Sequence, residues 1–388
     1  MLGLLLARSR VDVVVLEKHG DFLRDFRGDT IHPSTVQLID ELGLGEGFRR
    51  LPLRRTDTLG AVTDDGEYTL ADFRRLPRPY NSLVFLPQWD FLDFLTDHAR
   101  RLPHFELRRR AEVCDVVRQG GRVVGLRYRG PGGSAHQVRA DLVVAADGRD
   151  STVRRSAGLT PIELGAPVDV LWFRISREDT DPALAFGRLS AGRLLVLIDR
   201  GEHWQVGYVI AKGGIERLHE GGIEALRRAV GELAPFLRAR VEQIADWDDV
   251  KLLRVQVNRL RRWWRPGVLC IGDAAHAMSP VGGVGINLAI QDAVAAANLV
   301  ARPLRGGRLR ARHLAALQAR RTVPVAATQL VQRVIQRYFL ARLVQGRSGS
   351  VTPAGLRLLT RFPALQGLLA RMIGRGLLPE HVRPAGEP

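Results

Sequence analysis

Residues 267–300, GVLCIGDAAHAMSPVGGVGINLAIQDAVAAANLV, constrain this chain more than any other run. The pattern predicts a buried strand over 268–271, a tight Gly-Asp corner, a glycine-punctuated loop and a long alanine-rich helix. One carboxylate, Asp273, falls at the end of the strand, where open α/β sheets place their ligands. Gly282, Gly283 and Gly285 let backbone come close to a flat ligand, and the first amides of the following helix point toward it. Such a helix start favours a group that carries or develops negative charge. The combination asks for a cofactor.

The rest of the chain frames that corner. VDVVVL is a short apolar strand closed by Glu17, and DLVVAA is another, stopping at Asp147-Gly148. Alternating strand and helix patterns predict an α/β architecture, and 388 residues suffice for two domains. Helices are expected over 33–42, capped by Thr30 or Ser34, over 90–101 and over 223–244. A hairpin is expected over 59–70, turning at Asp64, Asp65 and Gly66. Further strands are expected over 106–117, 123–128 and 249–257. Three more in 168–211 read as a separate sheet, and the chain is mainly helical after Gly306.

The formal charge of +17 invites a nucleic-acid reading, but its distribution argues against one. Lys18, Lys212 and Lys251 are the only lysines, and the arginines are scattered from Arg8 to Arg383 instead of gathering in a stripe. Cys114 and Cys270 lie in apolar, strand-like contexts, read as buried thiols of a reducing compartment. The opening MLGLLLARSR lacks the basic start and cleavage site of a signal peptide. No stretch is read as a transmembrane segment, so a cytoplasmic protein is expected. The leucine- and arginine-rich C-terminal segment reads as a helical cover or homodimer contact in preference to a peripheral membrane anchor. No metal-ligand spacing and no Ser-His-Asp set is present.

Three blocks, VDVVVLEK, VVAADGRDSTVRR and CIGDAAHAMSPVGGVGINLAIQDA, occur in an order that resembles the flavin-dependent aromatic hydroxylases, the group typified by p-hydroxybenzoate hydroxylase. The resemblance implies a Rossmann-like FAD-binding domain, discontinuous over 1–58, 88–160 and 265–325. It carries an inserted, mainly antiparallel substrate sheet (59–87 and 161–264) and a helical C-terminal segment (326–388). It gives Glu17 to the adenosine ribose, Arg27 to the diphosphate or ribityl region and Gln88 to the ribityl chain. Asp147 would serve both FAD and the pyridine nucleotide, and Asp273 the ribityl hydroxyls. Pro280 would approach the isoalloxazine, with Gly283, Gly285, Ile286 and Asn287 at its pyrimidine edge.

The implied reaction is hydroxylation of an aromatic or polyketide-like small molecule. NAD(P)H reduces FAD, O2 adds at flavin C4a, and the hydroperoxide transfers oxygen to the substrate, the protein supplying placement and exclusion of water. Trp172, Arg174 and Tyr208 are candidates for the substrate wall, although aromatics on alternating strand positions are also ordinary core. His276 reads as structural or flavin-adjacent, since no nucleophile or orienting carboxylate is evident beside it. His32 either faces the active site or supports the turn before Pro33. One departure stands out: the first strand and the GxGxxG loop expected before the first helix are missing. A start placed too far downstream is the expected cause. A same-fold reductase or dehydrogenase, and a flavin-free binding form, are the alternatives.

Overall fold

The computed structural model describes residues 1–23, 30–182, 186–190, 192–341, 357 and 360–383. Its largest core is built around parallel strands of the kind that crossover connections produce. Val13–Glu17 pairs in parallel with Phe105–Arg109, and Val143–Ala145 with Val268–Cys270. Against them pack the first helix, Leu2–Arg8, through Leu4, Leu5 and Leu6, and the helix Gly285–Arg305, through Ile290, Val294 and Val300. The segment Val281–Arg305 is long and apolar enough to span a bilayer, with mean hydropathy 1.4, contrary to expectation. It is a core helix, 72% of that window being buried inside the protein.

The second unit is a seven-stranded sheet assembled from distant parts of the chain. Lys251–Leu253, Val168–Ser176, His203–Ala211, Arg193–Asp199 and Phe186–Ser190 follow one another antiparallel, and the hairpin Thr58–Thr63/Gly66–Asp72 joins in parallel to Phe186–Ser190. Strand alternation divides its residues between two faces. Leu171, Phe173, Trp204, Val206 and Tyr208 pack under the helix Gly222–Leu233. Val170, Trp172 and Val209 face the other way, in one cluster with Val281 of the glycine loop and with Leu340.

Several expected elements are shorter or divided. The strand expected over 106–117 breaks at Arg110, whose φ is 55°. Its halves join different sheets, Phe105–Arg109 beside Val13–Glu17 and Glu112–Gln119 in a hairpin with Arg122–Arg129. The helix expected over 223–244 stops at Leu233, before Pro235 opens a 3-10 turn, because proline ends the regular hydrogen-bond ladder. Only Lys251–Leu253 of the strand expected over 249–257 is paired. His32, followed by Pro33, is the N-cap of Pro33–Glu41, so neither Thr30 nor Ser34 holds that place. Cys114 is exposed and Cys270 buried, so only one thiol is a core residue.

Candidate functional site

The corner after Val268–Cys270 is made by Gly272, whose φ of 57° lies in the left-handed region. A Cβ there would come 2.9 Å from that of Ala289, so glycine serves both the turn and the close approach of the helix. Asp273 follows, its side chain 31% exposed. Asp292, fully buried in the same helix, secures the corner from behind. Its Oδ2 accepts from the Gly272 amide at 3.0 Å and lies 2.6 Å from His276 Nε2, while Oδ1 accepts from Arg321 Nε at 2.8 Å. Burial alone would raise this carboxyl, but His276 and Arg321 outweigh it and hold the group below the usual carboxylate range. His276 therefore does have an orienting carboxylate, contrary to expectation, in a wholly buried setting that suits structural support.

The glycine loop forms the next wall. Pro280 precedes a turn over Val281–Gly283 in which Gly282 and Gly283 both have positive φ. The helix Gly285–Arg305 starts with no side-chain cap, so its first amides have no partner within the helix. A ladder of glutamines holds the approach to this loop. Gln329 Nε2 donates to the carbonyls of Asn258 and Ala277. Gln332 accepts from the Ser279 amide and donates to the carbonyls of Ser279 and Val281, and Gln336 donates to Ser279 Oγ. Sequence reasoning missed these residues. Their spacing along Ala311–Ile335 and beyond, all toward one helix face, is the signal that marks them.

The Asn287 side chain is engaged within the protein. Its Oδ1 accepts from the His32 amide at 3.1 Å and from Thr35 Oγ1 at 2.6 Å, and Nδ2 donates to the Thr30 carbonyl at 3.3 Å. The side chain ties Thr30–Ile31 to the helix start, leaving its backbone to meet a ligand. His32 is fully buried beside it, with Nδ1 2.7 Å from the Ile373 carbonyl. Burial lowers its pKa to about 4. The imidazole is thus neutral, bound to the Ile373 carbonyl and set beside Gly282 and Gly283 of the glycine loop, and it gives the Pro33 helix no side-chain cap.

The second corner, Asp147-Gly148, lies alongside the first because their strands are neighbours. Asp147 Oδ2 accepts from the Val153 amide at 3.1 Å, and Ser151 Oγ caps the short helix by accepting from the Arg154 amide at 2.9 Å. Buried Arg154 joins the corners, donating through Nη1 to the Ala274 carbonyl at 3.1 Å and through Nη2 to the Arg149 carbonyl at 2.6 Å. Glu17 ends its strand and accepts from the His19 amide at 2.9 Å. Gln88 opens the helix Gln88–Arg100. Arg27 lies outside the described residues.

A cavity of about 190 Å³ lies between the start of that helix and the sheet. Phe85, Pro87 and Trp89 line one side, and Arg174, His203 and Gln205 the other. Phe85 pairs with Thr30, which joins this cavity to the glycine-loop wall through Asn287. Burial, then the charges of Arg174 and Arg200, lower the His203 pKa. Of the wall candidates, Arg174 lines the cavity, and Trp172 lies on the same sheet face, in the cluster that contains Val281. Tyr208 does not belong with them. It pairs opposite Leu171 and packs under the Gly222–Leu233 helix, on the far face of the sheet. His203, Gln205 and Trp89 had no sequence signal beyond strand alternation and a helix start.

This arrangement offers a part-exposed carboxylate, close-approach glycines before an uncapped helix start, and a cavity with aromatic and polar walls. It fits a polyhydroxylated dinucleotide ending in a flat ring that takes up negative charge. The FAD binding domain family matches residues 1–332. A 6-methylpretetramide 4-monooxygenase from Streptomyces rimosus is 38% identical over 380 residues, covering 96% of this chain and 88% of the relative. A putative polyketide hydroxylase from Streptomyces halstedii is 29% identical over 314 residues, 74% of this chain and 54% of that longer protein. Among solved structures, the OxyS anhydrotetracycline hydroxylase from Streptomyces rimosus superposes with a TM-score of 0.75 at 23% identity, covering 100% of this chain and 75% of that one. That likeness shows a shared fold. The family match decides against the flavin-free alternative: the chain belongs to the FAD binding domain family and is an FAD-dependent oxidoreductase.

Proposed function

We propose that this enzyme hydroxylates a phenolic, polycyclic substrate of the aromatic polyketide type, using NAD(P)H and O2. The observation that carries the reading is the cavity between the start of the helix Gln88–Arg100 and the sheet, with Phe85 and Trp89 on one side and Arg174, His203 and Gln205 on the other. Flat aromatic ligands pack on the first wall, and their hydroxyl and carbonyl groups meet the second. The monooxygenase relative from Streptomyces rimosus supports the substrate class.

Bound FAD supplies electron transfer from the nicotinamide and the activation of oxygen. The chain's own residues bind and orient. Asp273 would accept from the ribityl hydroxyls, Gln88 would contact the same chain, Glu17 would receive the adenosine ribose, and Asp147 would serve both nucleotides. Pro280 and Gly283 would flank the ring, and the amides of Gly285, Ile286 and Asn287 would stabilise negative charge on it. Val170, Trp172, Val209 and Val281 form an apolar floor that excludes water from the reacting face. On the substrate side, the Arg174 guanidinium favours a phenolate, which is more electron-rich than a phenol. His203, kept neutral by burial and adjacent arginines, accepts the phenolic proton. The reading places the enzyme in the cytoplasm, where nicotinamide cofactors are reduced.

The test is turnover of FAD-loaded protein with a panel of polycyclic phenols under isotopically heavy O2, with mass spectrometry of the product. Substrate-stimulated NAD(P)H oxidation and one heavy oxygen in the product are expected. NAD(P)H oxidation with an unlabelled, reduced or dehydrogenated product overturns the reading in favour of simple redox chemistry.

A further inference from the structure

Asp273 has a partner that the cofactor assignment leaves unused. Arg149, just past the Asp147-Gly148 corner, sends its guanidinium across to the other corner. Its Nη2 lies 3.5 Å from Asp273 Oδ2, and Nη1 donates to the Arg254 carbonyl at 3.3 Å. The residue is held at both ends. Its own carbonyl accepts from Arg154 Nη2 at 2.6 Å, and Arg154 Nη1 holds the carbonyl of Ala274, the neighbour of Asp273. The two side chains are 27% and 31% exposed, so each keeps part of its surface open. A separation of 3.5 Å makes this an ion pair without a tight hydrogen bond, and Asp273 retains lone pairs for hydroxyl donors.

The charge balance explains why such a pair belongs here. FAD brings an anionic diphosphate, and its ring gains negative charge on reduction. A bare carboxylate beside both would repel them, most strongly in the reduced state. An arginine held beside the carboxylate without a tight hydrogen bond offsets that repulsion and leaves lone pairs to accept. Direct capture of the diphosphate by Arg149 is a different arrangement, and experiment separates the two.

We propose that Arg149 is a cofactor-positioning residue, the counter-ion that lets Asp273 hold the ribityl chain beside an anionic ligand. The inference rests on Asp273 meeting the ribityl hydroxyls. Removing the positive charge weakens binding of reduced flavin more than of oxidised flavin, so the bound flavin becomes harder to reduce. A tenfold difference between the two affinities corresponds to a fall of about 30 mV for a two-electron couple.

The test compares wild type, Arg149→Gln, Arg149→Lys, Asp273→Asn and the Arg149→Gln/Asp273→Asn pair. FAD affinity is read by fluorescence quenching on apoprotein, the midpoint potential by spectroelectrochemistry on the loaded enzyme, and folding by the apoprotein melting temperature. Arg149→Gln is expected to melt as wild type does, bind FAD several-fold more weakly and show a potential lower by about 30 mV. Lysine is expected to restore the potential. With Asn at 273, the Gln substitution is expected to change affinity less than about twofold, because no carboxylate is left to neutralise. An unchanged potential and affinity in Arg149→Gln, with Asp273→Asn still weakened, overturns the role of Arg149. A full loss that persists in the Asn background overturns its action through Asp273. No effect of Asp273→Asn on FAD binding overturns the ribityl placement itself. Should Arg149→Gln fail to fold alone, Arg149→Met, which keeps the length of the side chain without its charge, carries the same expected fall in affinity and potential, and an unchanged potential and affinity there overturns the role.

Discussion

Replacing Asp292 by asparagine tests whether the flavin corner depends on a buried charge hub. The carboxylate serves three donors at once, with Gly272 and His276 on Oδ2 and Arg321 on Oδ1. Asparagine has one acceptor oxygen, so a donor must face a donor on one side. The favourable orientation keeps the oxygen toward Arg321 and turns the amide toward His276, which can switch tautomer and accept. The Gly272 amide is then buried without a partner, at roughly 1–3 kcal/mol, and Arg321, 1% exposed, loses its buried counter-charge. Breaking a buried pair from one side costs about 3–5 kcal/mol, and Glu380, 3.6 Å from Arg321 Nη1, keeps the value toward the lower end. Expected for Asp292→Asn is therefore a loss of about 3–4 kcal/mol in urea unfolding, with weaker FAD binding because Gly272 immediately precedes Asp273. The sign with pH follows from the depressed carboxyl. Its stabilisation is fully present above the unfolded-state carboxylate value and is lost as pH falls through the lower folded value. The gap between wild type and variant should thus be constant near neutrality and narrow only in strong acid. A variant within about 1 kcal/mol of wild type, or a gap that closes between pH 8 and pH 6, would refute the hub.

Three further outcomes follow from the same geometry. Gly272→Ala must carry a side chain at a φ of 57° with a Cβ 2.9 Å from that of Ala289. Calorimetry should show a loss of roughly 1–3 kcal/mol from backbone strain alone, together with weaker FAD binding; an unchanged melting temperature contradicts the close approach. Gln332→Met removes one acceptor and two donor contacts to Ser279 and Val281. Each buried group left unpaired costs roughly 1–3 kcal/mol, and because the loop leads into the cradle, FAD affinity should fall with stability. For His203, whose pKa is lowered, kcat/KM in wild type should rise with pH along an acid limb below the ordinary imidazole value of about 6.5. That limb should vanish in His203→Gln; its persistence assigns the proton to another group.

The parts of this protein legible in its sequence are those whose causes are local. The strand before Asp273, the Gly-Asp corner and the helix start lie within one short run, and each is specified by residue types that leave the backbone few choices. The same holds for the turn at Asp147 and its Ser151 cap. What sequence reasoning missed depends on partners brought together by the fold. Asn287 is drawn to the amide of His32 across 255 positions, and Arg154 reaches Ala274 across 120. Neither pairing leaves a periodic trace. Tyr208 shows the limit differently. Strand alternation separates two faces within one strand, but only the pairing of Tyr208 with Leu171, and of Trp172 with Gly207, says which face of one strand continues which face of the next. The register puts Tyr208 under a helix and Trp172 toward the glycine loop.

The same distinction explains why the cofactor side of the site is easier to recognise than the substrate side. A dinucleotide is gripped largely by backbone, and backbone geometry demands glycines and short turns that show in any sequence. A substrate is gripped by side chains from unrelated segments. Here Trp89 comes from a helix start, while Arg174 and Gln205 face each other on paired strands. Their chemistry becomes a pattern only once the sheet is assembled. On the proposed assignment, the substrate wall would be altered by single substitutions on strands that the FAD cradle does not use. A change at Arg174 or His203 should shift substrate preference while leaving FAD affinity intact, whereas a change at Gly272 or Asp292 should weaken FAD binding for every substrate alike.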